Sequence, residues 1–228
     1  MKEKNMNIIE ALYARKSIRG FLPDPVDRKI IEKILSAAVR APSAMNTQPW
    51  EFVVLSGKLL DEARKKIVEK LNTGAPMKPD HLVAGWPRES IYRTRQVNLA
   101  KQLFKLMDIA REDKEKRAWW LERGFRFFDA PVAVIVLSDR SLSESGPLLD
   151  IGAVTSYICL AALHYGLGTC IEDQGVLYPE VVREIAGIPD EKRIMIAVAM
   201  GYPDPDFPAN RLETPREPVD SITTWVGF

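Results

Sequence analysis

Histidine and cysteine are nearly absent from this chain: two of each occur in 228 residues. His81 and His164 lie far apart, and no pair of ligating residues has metal-site spacing, so no metal is expected. His164 falls in an apolar stretch and reads as a satisfied structural residue. Cys159 and Cys170 also sit in apolar stretches; that excludes a disulfide framework and predicts buried, reduced thiols. Neither G-x-S-x-G nor G-x-x-x-x-G-K-[ST] is present, which removes a hydrolase elbow and a P-loop. "GLGTCI" (166–171) opens like a dinucleotide fingerprint but carries Ile171 where the third glycine belongs. Net charge is lacking too: 32 basic residues face 31 acidic ones, a formal +1. No global field then draws nucleic acid or an anionic membrane, and any anion site must be local. No leader-like apolar segment opens the sequence, so no export signal is expected, and the setting expected is cytoplasmic.

Long apolar runs are scarce. Only "LLDIGAVTSYICLAALHYGLG" (148–168) approaches membrane-spanning length, and it carries Asp150, Thr155, Ser156 and His164. It reads as a helix buried on most sides, in a core or a subunit interface. The rest of the composition is ordinary, 46% hydrophobic and 28% charged, in a length that suits one domain, with or without an insertion. No internal repeat or low-complexity tract interrupts it.

Along the chain, "NIIEALYAR" begins a short helix, and residues 27–41 form an amphipathic one with Asp27 as cap and Pro42 beyond its end. Strands are expected at 50–56, 130–139, near 168–173 and at 193–201, with helices at 59–71, 148–165 and 178–187. Residues 72–90 hold three prolines and two glycines and read as loop. Two helical stretches follow, the second being "DKEKRAWWLERGF". The proline-rich tail ends in a strand-like "SITTWVGF". Without strict β-α-β alternation, the expected architecture is α+β: a three-layer α-β-α sandwich on a mostly antiparallel sheet.

Two stretches carry the chemistry. In "ARKSIRGF" (14–21), an extended backbone sets Arg15, Ser17 and Arg19 on one face, two guanidinium forks and a hydroxyl that match a phosphate. The same stretch also reads as a solvated basic segment after a helix. In "RAPSAMNTQPWEFVVL" (40–55), Ser43, Asn46, Thr47 and Gln48 offer neutral donors and acceptors suited to the polar edge of a heterocycle. They equally suit a helix-ending turn that satisfies its own backbone. One stretch suits a phosphate and the other a planar ring edge; FMN has both.

The combination resembles the nitroreductase family of FMN-dependent oxidoreductases, and within it the nitrobenzoate-reductase-like branch. The resemblance rests on "ARKSIRGFLPDPV", "AAVRAPSAMNTQPWEFVVL", "FFDAPVAVIV", "GLGTCIED" and "GYPDPDFPANRLETPREPVDSI", and covers residues 10–71 and 125–228. It implies a single domain over 1–228 with a helical insertion or lid at 72–124, in a homodimer with two interfacial FMN sites and a C-terminal tail, from about 217, swapped onto the partner. By matching positions it places Arg15, Lys16, Ser17 and Arg19 on the phosphate, the ribityl chain and the ring's N1/O2 edge. It takes Pro42, Ser43, Ala44 and Asn46 from the other subunit, adds Arg216 at the phosphate, and lays the backbone of Ile171, Glu172 and Asp173 near N5. Asp173 and Gly124 depart from the family's usual glycine and asparagine. The implied reaction moves electrons from NADH or NADPH through FMN to a nitroaromatic, a quinone or an activated alkene, with no side chain expected as a catalytic acid or base. Two alternatives remain beside it: a specialised relative such as a reductive dehalogenase or a flavin-destroying synthase, and a non-catalytic FMN-binding redox sensor.

Overall fold

The computed structural model describes residues 6–82 and 85–228; residues 83–84 of the expected 72–90 loop lie outside the described residues. Four strands, β1 (Glu51–Ser56), β2 (Val132–Asp139), β3 (Gly168–Glu172) and β4 (Lys192–Gly201), form one sheet in the order β1-β2-β4-β3. Every neighbouring pair is antiparallel. The helices are α1 (Ile8–Ala14), α2 (Arg28–Ala38), α3 (Gly57–Asn72), α4 (Ile91–Leu106), α5 (Lys114–Phe125), α6 (Leu148–His164), α7 (Pro179–Ala186) and α8 (Val219–Ile222). None among the described residues is long and apolar enough to cross a membrane.

The unbroken apolar run of β2 follows from burial of both its faces. Ala133, Ile135 and Leu137 join a core under α3, α5 and α7, while Val132, Val134 and Val136 join a second core under α2 and α6. The expected three layers result. In β4, Val136 pairs with Ile196 and Leu137 with Ile194, so Met195 is an extra residue. This bulge turns Met195 and Ile196 toward the same core before alternation resumes at Ala197.

Two boundaries differ from expectation. The helix expected over 27–41 keeps its Asp27 cap, whose carboxylate accepts from Lys29 N–H at 2.9 Å, but ends at Ala38. The expected strand at the C-terminus is instead the four-residue α8 and an unpaired extended segment. An extended segment becomes a strand only with a neighbour, and its own sheet offers none there.

Candidate functional site

The segment after α1 runs along the outer edge of β3. Ser17 forms a parallel bridge with Thr169, and Ile18 N–H donates to Thr169 C=O at 2.9 Å. Alternation sends Ile18 into the protein, against Gly168, where an added Cβ would meet the Ile18 side chain at 2.5 Å. Arg15, Ser17 and Arg19 alternate with Ile18 along the chain and are half-buried. Arg15 and Arg19 act electrostatically on the Cys159 and Cys170 thiols beneath them. Burial still dominates and pushes Cys170 up to about 12, so neither cysteine is a nucleophile.

Asn210 holds this segment in place, a role with no sequence signal. Its side-chain oxygen accepts from Arg19 N–H at 2.8 Å and Gly20 N–H at 3.2 Å, and its amide donates to Gly20 C=O at 2.8 Å. Arg123, on α5, donates to Arg19 C=O at 3.0 Å, to Phe128 C=O at 3.2 Å and to the Asp129 carboxylate at 2.8 Å. The backbone is thus fixed while the Arg15, Lys16 and Arg19 head groups have no carboxylate partner among the described residues. Most other buried or half-buried arginines do: Arg64, Arg123, Arg126 and Arg183 are all paired.

β3 is the edge strand, so beyond Thr169 its outer edge presents unpaired backbone groups. Ile171 is 43% exposed although its neighbours Cys170 and Glu172 are buried. Glu172 is 7% exposed; one carboxylate oxygen accepts from Gly175 N–H at 2.8 Å and the other has no partner among the described residues. Burial raises its pKa to about 8, against the opposing pull of that N–H. Sequence reasoning expected only its backbone here and missed a buried acid. Asp173 has φ −103°, a conformation that does not call for glycine. Gly124 faces the Gln174 side chain, which occupies the space a larger residue would need and donates to Leu121 C=O at 3.3 Å.

The loop of Pro42, Ser43, Ala44 and Asn46 lies elsewhere. Ala44 N–H donates to the buried Asp150 carboxylate at 3.2 Å, on the first turn of α6. Ser43 Oγ accepts from Gln48 N–H at 3.0 Å. Met45, Asn46 and Gln48 have φ of 49°, 59° and 48°, left-handed values that cost about 1–3 kcal/mol each without glycine. All three are exposed, Met45 at 98%. Asp150 and Cys159 are nine residues apart on α6, about 13 Å along its axis. Within one chain the loop and the cationic segment therefore stay apart. Arg216 is exposed, and its guanidinium donates to Thr214 and Pro215 rather than toward Arg15.

The 72–124 stretch is tied to the body at several points. Asp80 accepts from Arg140, Arg183 and the Ile194 N–H. α4 packs Leu99, Leu103 and Leu106 against Ala209 and Leu212. A different face of α4 lines a groove of about 830 Å³ that includes Arg93, Lys101, Phe104, Lys105, Arg111 and Arg117 and no carboxylate. Arg95, two residues beyond Arg93, is paired with Glu217 at 2.8 Å. Trp120 joins the α4 cluster, whereas Trp86 and Tyr92 pack on each other, half exposed, 5.9 Å apart.

The family model described as the nitroreductase family matches residues 12–202. Chloronitrobenzene nitroreductase of Comamonas testosteroni is 34% identical, with 96% of each chain covered. The 4-nitrobenzoate reductase of Pseudomonas putida is 31% identical over 94% of this chain and 93% of its own. Among solved structures, the FMN- and NADPH-dependent nitroreductase NfnB from Sphigopyxis sp. strain HMH superposes with a TM-score of 0.92 at 28% identity, covering 98% of this chain and 100% of the other.

Proposed function

The chain belongs to the nitroreductase family, and from that premise we propose that it is an FMN-dependent oxidoreductase carrying electrons from NAD(P)H to nitroaromatic or quinone-like acceptors. The observation that carries the reading is the trio Arg15, Lys16 and Arg19: three cations without a carboxylate partner among the described residues, held by backbone clamps against the open edge of β3. Such a trio is costly to leave unpaired and suits a ligand that brings its own phosphate.

The residues present fit FMN. By the resemblance, Arg15, Lys16 and Ser17 would hold the phosphate and ribityl chain and Arg19 the polar edge of the ring, and Arg216 would join the phosphate on leaving its contacts with Thr214 and Pro215. The backbone of Ile171, Glu172 and Asp173 meets the N5 side, with the exposed Ile171 side chain as apolar contact. Pro42, Ser43, Ala44 and Asn46 would come from a second copy of the chain, as the resemblance implies. FMN, when bound, supplies the hydride and electron transfer. Arg19 would place a fixed positive charge where bound flavin is more negative in its reduced form. Burial, helped by the neighbouring Asp173 charge, raises the Glu172 pKa to about 8 and so favours its neutral form at neutral pH. The 72–124 segment selects the acceptor: its groove of cations around Phe104 suits an aromatic ring bearing a carboxylate. A dinucleotide donor and two buried thiols fit a cytoplasmic setting.

The test is a visible spectrum of the purified protein. A yellow protein that bleaches with NADPH and recovers its colour with 4-nitrobenzoate is expected. A colourless protein that fails to take up added FMN overturns the reading. Bound flavin that neither NADH nor NADPH reduces would indicate the sensor instead.

A further inference from the structure

Three successive residues, separated by two others from Val132 of β2, adopt a conformation that side-chain-bearing residues rarely share in succession: Phe127, Phe128 and Asp129 have φ of 54°, 52° and 58°. The turn is held at both ends. Arg64 donates to Arg126 C=O at 3.0 Å and also to Ala130 C=O. Arg126 and Arg123 both donate to the Asp129 carboxylate, at 2.8 Å each. Phe127 and Phe128 are both buried in the core, and Phe128 also packs on Trp120, ring centroids 6.4 Å apart. The turn in addition places the Phe128 ring under the Arg19 guanidinium, 6.0 Å from carbon to ring centroid. It is the sole ring or polar contact of that guanidinium among the described residues. The same Arg123 Nη2 donates to the C=O of Arg19 and of Phe128, so one buried side chain fixes the two residues relative to each other. Arg123 is itself wedged between the rings of Trp119 and Phe207, at 5.3 and 4.7 Å.

We propose that Phe128 is a positioning residue for Arg19: its ring, set by the left-handed turn and by Arg123, fixes the guanidinium and thereby raises the reduction potential of the bound flavin. This rests on the FMN reading above and deepens it. A cation attracted to an aromatic face gains a preferred position without losing charge, as it would beside a carboxylate. A charge held in advance of reduction stabilises the reduced state more than one that must first be ordered. Without the ring, Arg19 spreads over several rotamers and is further hydrated. Oxidised flavin, with less charge at that edge, loses less.

The experiment measures the FMN midpoint potential and the affinity for oxidised FMN in reconstituted protein, for wild type, Phe128→Leu, Phe128→Tyr, Arg19→Ala and the Phe128→Leu/Arg19→Ala double variant. Phe128→Leu is expected to reduce the preference for reduced over oxidised flavin about tenfold, about 30 mV lower for a two-electron couple. Its affinity for oxidised FMN should change much less. Phe128→Tyr, which keeps the ring face, should stay close to wild type. In the Arg19→Ala background the leucine substitution should shift the potential no further, since the effect runs through Arg19. An unchanged potential in Phe128→Leu, or an equal shift with Arg19 absent, overturns the proposal while leaving the flavin reading intact. If Phe128→Leu does not fold, Arg123→Lys decides the matter in the same two backgrounds, with the same expected direction. Failure of wild-type protein to bind FMN at all overturns both.

Discussion

Arg19 and Arg216 bear the same charge in different surroundings, and the two should differ in effect. Arg19 is clamped through its backbone and stands over Phe128; Arg216 lies on the exposed tail. Arg19→Ala should bind FMN with modest loss but slow flavin reduction roughly 100-fold, the scale of one lost electrostatic stabiliser. Arg216→Ala should weaken FMN binding roughly 10- to 100-fold, from one charge-assisted contact, with little change in rate once saturated. Stopped-flow bleaching and a flavin titration separate the two; equal effects on both readouts would refute the division. Glu172 gives a pH prediction. Its pKa is raised from 4.5 to about 8 chiefly by burial. Between those values the folded protein holds a proton that the unfolded chain has released, so stability falls as pH rises through that window. Glu172→Gln should remove this decline, measured as urea midpoints at about pH 5 and about pH 8; a decline that persists in the variant means other groups cause it. The extended run of 15–19 beside β3 was legible in the sequence, because its alternating polar and apolar residues suit one strand-like edge segment. Glu172 as a buried acid and Asn210 as a clamp were not, since burial and hydrogen bonds over 190 residues of chain leave no local pattern.

Elements buried on both sides were the easiest to read. β2 is apolar throughout because a layer presses on each of its faces, α6 is apolar on the face that packs on the sheet and α2, and the expected spans of both agree with the structure within two residues. Less legible were elements whose state depends on a neighbour: the tail has strand composition without a strand to join, and α2 stops short of the proline that seemed to mark its end. The contact of the cationic segment with β3 depends on a glycine. An added Cβ at Gly168 would meet Ile18 Cγ1 at 2.5 Å and Pro203 Cγ at 2.9 Å, both in a packed region. Gly168→Ala should therefore cost about 1–3 kcal/mol by overpacking and displace the segment from the edge. FMN affinity should fall in protein that still melts cooperatively; unchanged affinity would mean that this crossing does not position the site. For the 72–124 segment, the ties of Asp80 and the packing of α4 make wholesale deletion a blunt instrument. Reversing charge in the groove with Lys101→Glu and Arg117→Glu tests selection more directly. The kcat/KM for 4-nitrobenzoate should drop about tenfold or more relative to neutral nitrobenzene, the size of a lost ion pair in a part-desolvated site. A parallel change for both acceptors would exclude the groove from acceptor choice.

At the scale of the molecule, one chain leaves several apolar side chains uncovered. α1 has no buried residue, and Ile8, Ile9, Leu12 and Tyr13 are all more than half exposed. An isolated seven-residue helix is not stable in water, and the Asn7–Glu10 capping box supports only its first turn. Beside it, Ile8, Leu12, Tyr157, Leu160 and Leu163 line a groove of about 590 Å³ against α6. Leu149, Trp225, Val226 and Phe228 add further exposed apolar surface, with Phe228 fully exposed. Patches of this extent mark interfaces, and a two-fold arrangement would cover each patch with its own counterpart. The same arrangement would bring the strained loop around Asn46 of one copy to the cationic segment of the other, completing a site that neither copy holds alone. Dimerisation and flavin binding should then be linked: FMN binds only the dimer and stabilises it by mass action. Light scattering during dilution should show FMN release and dissociation following the same concentration dependence, with added FMN shifting both together. Removing the tail beyond residue 217 should move both to higher protein concentration, because the tail's apolar side chains gain burial only on the partner. A monomer that retains full FMN occupancy would contradict this, and would require the loop from Pro42 to Asn46 to have no part in the site.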